Sequence, residues 1–159
     1  MGGASSAFLK AEEELLTKGI QWWTRWNRPS EPASAPNVSF KVKNVDLGNG
    51  LHIHTAEYAC TNPEAASQPA GSDGTDKLPL VAMHGYGTGL GIYFAALPAL
   101  AEKWRGPLFA IDSLGCGLSS RPRWHLGKGE NCAVEDAEDF FVDGLERWRN
   151  AMQVEHMLL

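Results

Sequence analysis

The sequence is short of cysteine, of positive charge and of any leader segment, and each shortage excludes a class of protein. Its three cysteines are odd in number and form no C-x-x-C pair, which predicts free thiols in a reducing compartment. The net charge of -5 at pH 7 argues against nucleic acid as a partner, because binding phosphates requires a basic face. The first ten residues contain no apolar segment of the signal-peptide kind, so we expect an intracellular, cytoplasmic protein.

A long apolar run of the membrane-spanning kind is also missing. Residues 78–101 carry no Lys, Arg, Asp or Glu, but glycines, prolines and His84 interrupt them. The run therefore divides into a strand, a turn and a helix, and a transmembrane helix is not predicted. A length of 159 residues with 43% hydrophobic residues fits one globular domain, or part of one.

Two apolar runs that end in glycine-rich turns organise the chain. They are LPLVAMHGYGTGLG at residues 78–91 and PLFAIDSLGCGLSS at residues 107–120. Continuous apolar runs are typical of parallel strands that helices cover on both faces. The sequence therefore predicts an α/β fold whose site lies at the strand ends. The glycine spacing matches neither G-x-G-x-x-G nor the P-loop, so we expect no nucleotide and no other cofactor.

A possible catalytic loop begins at the end of the first of these strands, with His84 and Gly85. This position suits a loop that donates backbone N–H groups to an oxyanion. We expect His84 to support the loop and not to act as general base, because a base must lie within reach of a nucleophile. The second loop has no nucleophile elbow, since neither Ser113 nor Ser119 lies in G-x-S-x-G. Asp112 and the glycines after it are expected to shape that turn.

The first 37 residues are predicted to form a segment of their own, a helix over residues 6–26 followed by a Pro-rich linker. Tryptophan rings and neighbouring arginines suit the headgroup region of a membrane. We expect the helix to bind a membrane surface through three tryptophans: Trp22, Trp23 and Trp26. The alternative is that the same residues pack the helix onto the core. The opening MGGASS also fits the pattern for N-myristoylation of Gly2.

Most of the remaining chain is predicted to be structural. Residues 40–45 and 51–58 alternate around a glycine-rich turn and predict a β-hairpin. Residues 61–77 form a polar loop without periodicity. Residues 134–154 keep helical spacing and predict a helix that packs on the core, and a further apolar run begins at residues 156–159.

Two histidines of the hairpin are candidates for a metal site. His52 and His54 lie two apart on a strand and so share one face. No Cys, Asp or Glu follows at a spacing that would complete a ligand set. We therefore favour a half-exposed strand face at these residues and predict no metal.

The two glycine loops resemble the α/β-hydrolase fold. The resemblance is carried by HGYGTGLG at residues 84–91 and by FAIDSLGCGLSSRP at residues 109–122. The branch that it most resembles is that of the alpha/beta-hydrolase domain-containing proteins four and five, which includes a lipid-droplet lipase coactivator and a lysophospholipase. Residues 137–149 and the Trp-rich helix are similar to that branch as well.

The resemblance implies a role for the first loop and a gap in the site. It implies that the backbone N–H of Tyr86, with Gly87 close by, forms part of an oxyanion hole. In the family the nucleophile follows the next strand, which residues 156–159 resemble. We therefore expect residues 38–159 to be the amino-terminal half of a hydrolase domain, truncated before its nucleophile elbow. Nucleophile, acid and base are then absent, and the chain alone is expected to be inactive.

For the whole protein the resemblance implies lipid chemistry. The expected reaction is ester hydrolysis of glycerolipids or lysophospholipids, or acyl transfer to lysophosphatidic acid, through a serine acyl-enzyme and without a cofactor. The alternative is a non-catalytic adaptor that activates a lipase at a lipid droplet or membrane. Either activity implies a protein that is peripheral on a membrane or lipid droplet.

Overall fold

The computed structural model describes residues 2–27, 37–62, 77–124 and 133–159. Most of the predicted linker and of the polar loop at 61–77 lies outside these ranges. The elements, in chain order, are α1 (Gly2–Asn27), β1 (Val38–Gly48), β2 (Leu51–Cys60), β3 (Leu80–Met83), a 3-10 turn (Leu90–Tyr93), α2 (Ala96–Ala101), β4 (Leu108–Ile111) and α3 (Val134–Ala151).

The four strands form one mixed sheet in the order β1-β2-β4-β3. β1 and β2 form the predicted antiparallel hairpin, and β4 pairs antiparallel with β2. β3 and β4 pair in parallel, as their continuous apolar runs predict. The two-residue turn at Asn49-Gly50 has φ values of 56° and 71°. Those left-handed angles favour Asn and Gly and match the twist of the hairpin.

The last residues of the chain extend the sheet beyond β3. The Val81 N–H donates to the Leu158 carbonyl at 2.9 Å, and the Leu158 N–H donates to the Pro79 carbonyl at 2.8 Å. These bonds form a single parallel bridge between Leu80 and Leu158. The apolar run predicted at residues 156–159 therefore pairs in parallel with β3, although only one bridge is formed.

One face of the sheet is covered by α3, which packs on the core as predicted. The Trp148 ring is fully buried and meets Phe109 edge to face, with 5.5 Å between ring centroids. Its indole N–H donates to Thr55 Oγ1 at 2.9 Å. The helix ends at Ala151, three residues before the predicted end at Val154. Apolar spacing continues past the true end, but Gln153 has a φ of 56° that stops the helix.

The other face is covered by α1 and α2. Leu16 and Ile20 of α1 are buried with Leu90 and Leu97, and a Cβ at Gly19 would overlap the Phe94 carbonyl. The helix therefore packs on the core, as the alternative to membrane binding predicted. The residues that contact the core, however, are Leu16 and Ile20. Burying such side chains contributes about 1.5–3 kcal/mol each.

The tryptophans of α1 lie beside this buried stripe. Trp22 is 50% exposed and Trp23 is partly buried. Gly2 and Trp26 lie within α1, and their exposure falls outside what the structure describes. None of the described helices combines the length and the hydropathy that a membrane span requires.

Candidate active site

Two loops leave the sheet at the same edge, because β3 and β4 are parallel neighbours. The first loop, residues 84–91, follows β3, and the second loop, residues 112–120, follows β4. The Tyr93 hydroxyl donates to the Met83 carbonyl at 2.6 Å and so fixes the point where the first loop begins. The predicted site therefore corresponds to one edge of the sheet.

Asp112 holds the two loops together. Its side chain is fully buried. Oδ1 accepts the Leu90 N–H of the first loop at 2.7 Å, and Oδ2 accepts the Leu118 N–H of the second loop at 2.7 Å. A Cβ at Gly117 would overlap this carboxylate, which explains why the position requires glycine. Asp112 shapes its own turn, as predicted, and also fixes the neighbouring loop.

His84 forms a second link between the loops. It is buried, and its Nδ1 lies 2.9 Å from the Gly85 carbonyl, to which only an N–H can donate. Its Nε2 accepts the Ser113 N–H at 3.1 Å. Together these bonds fix the neutral tautomer that carries its proton on Nδ1. Both ring nitrogens are therefore engaged by backbone groups of the two loops.

The tip of the first loop has backbone donors that are not used internally. Among the described residues, no protein acceptor bonds the N–H of Tyr86 or of Gly87. The Tyr86 side chain is fully exposed, and Gly87 has a φ of 72°, which favours glycine. The Gly85 carbonyl, in contrast, accepts a second bond from Thr88 Oγ1 at 2.9 Å. The loop can thus present the N–H groups of Tyr86 and Gly87 to an anion.

The serines of the second loop bond the protein itself. Ser119 Oγ is buried, donates to the Asp112 carbonyl at 2.6 Å and accepts the His54 N–H at 2.8 Å. Ser120 Oγ accepts the His52 N–H at 2.9 Å and lies 2.9 Å from His52 Nδ1. These bonds attach the second loop to β2, and no spacing in the sequence predicts them.

Of the two histidines of β2, His52 is half-buried, which agrees with the predicted half-exposed face, whereas His54 does not agree with it. His54 is buried, with Nε2 2.6 Å from Glu12 Oε2 and Nδ1 2.8 Å from Asn44 Oδ1. His52 bonds the Leu118 carbonyl through Nε2 at 3.1 Å. The prediction fails for His54 because α1 covers this part of β2 and supplies Glu12. Within the described ranges, no group of three His, Cys, Asp or Glu residues could hold a metal.

Glu12 also influences a buried phenol. Burial, and to a smaller extent the Glu12 carboxylate, raise the pKa of Tyr58 far above its ordinary value of 10.0. The phenol hydroxyl has no hydrogen-bond partner among the described residues. A cavity of about 860 Å³ is lined in part by Tyr58 and lies at the start of β4. That is the opposite edge of the sheet from the two loops, so it lies apart from the candidate site.

Comparison with known proteins shows which proteins the chain is similar to. The chain is 31% identical over 155 residues to 1-acylglycerol-3-phosphate O-acyltransferase ABHD5 of Pongo abelii, covering 98% of this chain and 34% of the relative. It is 38% identical over 84 residues to the (Lyso)-N-acylphosphatidylethanolamine lipase of Bos taurus, covering 53% and 22%. The chain is a homologue of these proteins, and its mixed sheet is flanked by helices.

Further comparisons show how far the likeness extends. A plant 1-acylglycerol-3-phosphate O-acyltransferase, from Arabidopsis thaliana, is 40% identical over 80 residues, which is 50% of this chain and 18% of the relative. Among solved structures, a bromoperoxidase from Bacillus anthracis aligns over 74% of this chain and 33% of its own, with a TM-score of 0.48 and 17% identity. A bacterial membrane phospholipase A aligns over 97% and 38%, with a TM-score of 0.48 and 17% identity.

The chain thus spans about a third of the length of the ABHD5 relatives. No protein-family model matches it. The oxyanion role of Tyr86 and Gly87, the division at residue 37 and the lipidation of Gly2 stay predictions.

Proposed function

We propose that this chain is the amino-terminal part of an α/β-hydrolase that acts in lipid metabolism. The proposed reaction is hydrolysis of glycerolipid or lysophospholipid esters, or acyl transfer to lysophosphatidic acid. The observation that carries the proposal is the first loop. Among the described residues its N–H groups at Tyr86 and Gly87 have no protein acceptor, while Asp112 and His84 fix the backbone around them. The names of the relatives, which specify acylglycerol phosphates and N-acylphosphatidylethanolamines, supply the substrate class.

The fixed loop suits stabilisation of a tetrahedral oxyanion. When a nucleophile attacks an ester carbonyl, the negative charge develops on the carbonyl oxygen. Donors that already point at this oxygen need no reorganisation during the reaction, and one such donor contributes about 10²–10³ in kcat. The N–H groups of Tyr86 and Gly87 are the proposed donors. Because the second loop is bonded to β2 and to the first loop, it keeps these donors in place.

The proposed acyl-enzyme requires groups that this chain does not supply. No G-x-S-x-G pattern occurs in the 159 residues, and a serine ester needs both a serine and a base. We therefore expect no turnover of acyl esters by the chain alone. A chimera, in which the chain replaces the matching 155 residues of the Pongo abelii relative, would supply the remainder of the site.

The chimera tests the proposal at a single backbone donor. Tyr86→Pro removes the N–H, whereas Tyr86→Ala keeps it and removes only an exposed side chain. We expect Tyr86→Pro to lower kcat for acyl transfer or ester hydrolysis about 10²-fold, and Tyr86→Ala to stay within twofold. Equal activity of the two variants would show that this N–H does not bind the oxyanion.

We also propose that α1 contacts a membrane or lipid-droplet surface, with Trp22, Trp23 and Trp26 as the contact residues. The exposed half of Trp22 supports this, because tryptophan favours the headgroup region. A non-catalytic adaptor at such a surface is the second candidate function. Vesicle flotation of the chain should fall at least threefold in Trp22→Ala and stay unchanged in Val142→Ala, a matched exposed position on α3. Surface binding by a catalytically inert chimera would favour the adaptor.

A further inference from the structure

A groove of about 760 Å³ lies between α1 and the two loops of the candidate site. Its lining includes Phe8 and Leu15 from α1, Ile92 from the 3-10 turn, and Leu118 and Arg121 from the second loop and the residues after it. This volume falls within the range of about 300–1,000 Å³ that is usual for ligand sites. The groove also contains Thr88 and Gly89 of the first loop, so it adjoins the proposed oxyanion donors.

The groove is apolar and open to solvent. Phe8 is 68% exposed, Leu15 38% and Ile92 56%, so three large apolar side chains face water in one place. Ligand sites are concave and are lined mostly by apolar side chains, as this groove is. Gly91 lies against Leu15, since a Cβ at position 91 would be 3.3 Å from Leu15 Cδ2.

The two charged residues of the groove are in different situations. Glu12 is bonded to His54 at 2.6 Å, so its charge already has a partner. Arg121 is exposed and donates from Nη2 to the Gly117 carbonyl at 2.6 Å. In the described part of the chain, no carboxylate pairs with Arg121. The groove therefore combines apolar walls with one cation whose charge is not neutralised.

We propose that this groove binds the single acyl chain of an anionic monoacyl lipid, with the lipid phosphate at Arg121. Phe8, Leu15 and Ile92 are the proposed chain-binding residues, and α1 becomes part of the substrate site. The inference rests on the proposed function for its substrate class and adds the residues that recognise it. Because Thr88 and Gly89 of the first loop line the groove, the proposed lipid would have its ester beside that loop.

Binding is tested with the 159-residue chain and a fluorescent 1-acylglycerol-3-phosphate kept below its critical micelle concentration. The variants are Phe8→Asn and Ile92→Asn, which make the groove polar without changing its charge. The control is Val142→Asn, because Val142 is comparably exposed but lies on α3. We expect the Kd to rise at least fivefold in each groove variant and to stay within twofold in the control.

Two results would overturn the acyl-chain assignment. One is an unchanged Kd in both groove variants, which would place the lipid elsewhere. The other is a loss of vesicle flotation in these variants while monomer binding stays intact, since that would make the groove residues a membrane contact. Circular dichroism of each variant confirms that the helices are retained.

Binding of the lipid phosphate by Arg121 is tested by comparing a phosphate lipid with a neutral one. Arg121→Gln should lower the preference for the phosphate lipid over a neutral monoacylglycerol about fivefold, and Arg25→Gln, at an exposed position of α1, should leave it unchanged. Equal weakening for both lipids would contradict the assignment, because it would mean that Arg121 acts by holding Gly117.

These measurements are independent of turnover. If the groove variants weaken lipid binding but Tyr86→Pro does not lower activity in the chimera, the groove proposal stands and the proposed oxyanion function fails. If Tyr86→Pro lowers activity but the groove variants bind lipid normally, the proposed function stands and the groove proposal fails.

Discussion

Among the described residues, the loop after β4 bonds most of its backbone N–H groups within the protein, whereas the loop after β3 leaves several without an acceptor, those of Tyr86 and Gly87 among them. In the second loop the N–H groups of Gly115, Cys116, Leu118, Ser119 and Ser120 all donate within the protein. In the first loop the N–H groups of Tyr86 and Gly87 do not, among the described residues. The contrast indicates a division of labour: one loop is a support, and the other presents donors to a ligand.

The largest expected effect comes from removing the carboxylate that joins the two loops. Asp112→Ala leaves the buried N–H of Leu90 and the N–H of Leu118 without acceptors, and each loss costs about 1–3 kcal/mol. We expect a decrease of about 3–5 kcal/mol in the free energy of unfolding, measured with urea. Asp112→Asn keeps one acceptor oxygen and should lose roughly half as much. If Asp112→Ala is as stable as the parent chain, Asp112 does not hold the two loops together.

A smaller effect separates two serines of the support loop. Ser119→Ala removes bonds to the Asp112 carbonyl and the His54 N–H, so we expect a loss of about 1–3 kcal/mol. Among the described residues the Ser113 hydroxyl makes no such bonds, and Ser113→Ala should change stability by less than about 0.5 kcal/mol. If the two substitutions lower the free energy of unfolding in urea equally, the hydrogen bonds of Ser119 do not stabilise the loop.

The same contrast between bonded and unbonded polar groups occurs in the sheet, at Tyr58. Its phenol is buried without a partner, so Tyr58→Phe should be neutral or stabilising by up to about 1 kcal/mol. Burial raises the pKa of Tyr58 above its ordinary 10.0. The unfolded chain therefore loses this proton first, and stability falls as the pH rises through about 10. Thermal unfolding between pH 9 and pH 11 should show a steeper decline for the parent than for Tyr58→Phe, and parallel declines would contradict the assignment.

Features with a local signal were predictable from the sequence. The apolar runs before each glycine loop became a parallel pair, and Asn49-Gly50 became the hairpin turn. The spacing of Trp148 and its neighbours became a core-packing helix. These features follow from periodicity and turn chemistry, which are properties of short segments.

Features that join distant segments were not predictable. Glu12 bonds His54 across 42 positions, and Ser120 bonds His52 across 68. No spacing rule connects such residues, so the histidines suggested a half-exposed strand. Likewise, the apolar residues of α1 predicted a helix, but its spacing did not reveal that Leu16 and Ile20 would face the core while Trp22 stays half exposed.

The most direct test of the division of labour is an amide NMR titration of the 15N-labelled chain with a short alkyl phosphonate, a soluble tetrahedral anion. We expect the amide signals of Tyr86 and Gly87 to shift the most and those of Leu118 and Ser119 to stay in place. We also expect Asp112→Asn to weaken the response. Shifts confined to the second loop, or to residues away from both loops, would contradict an oxyanion site at residues 84–91.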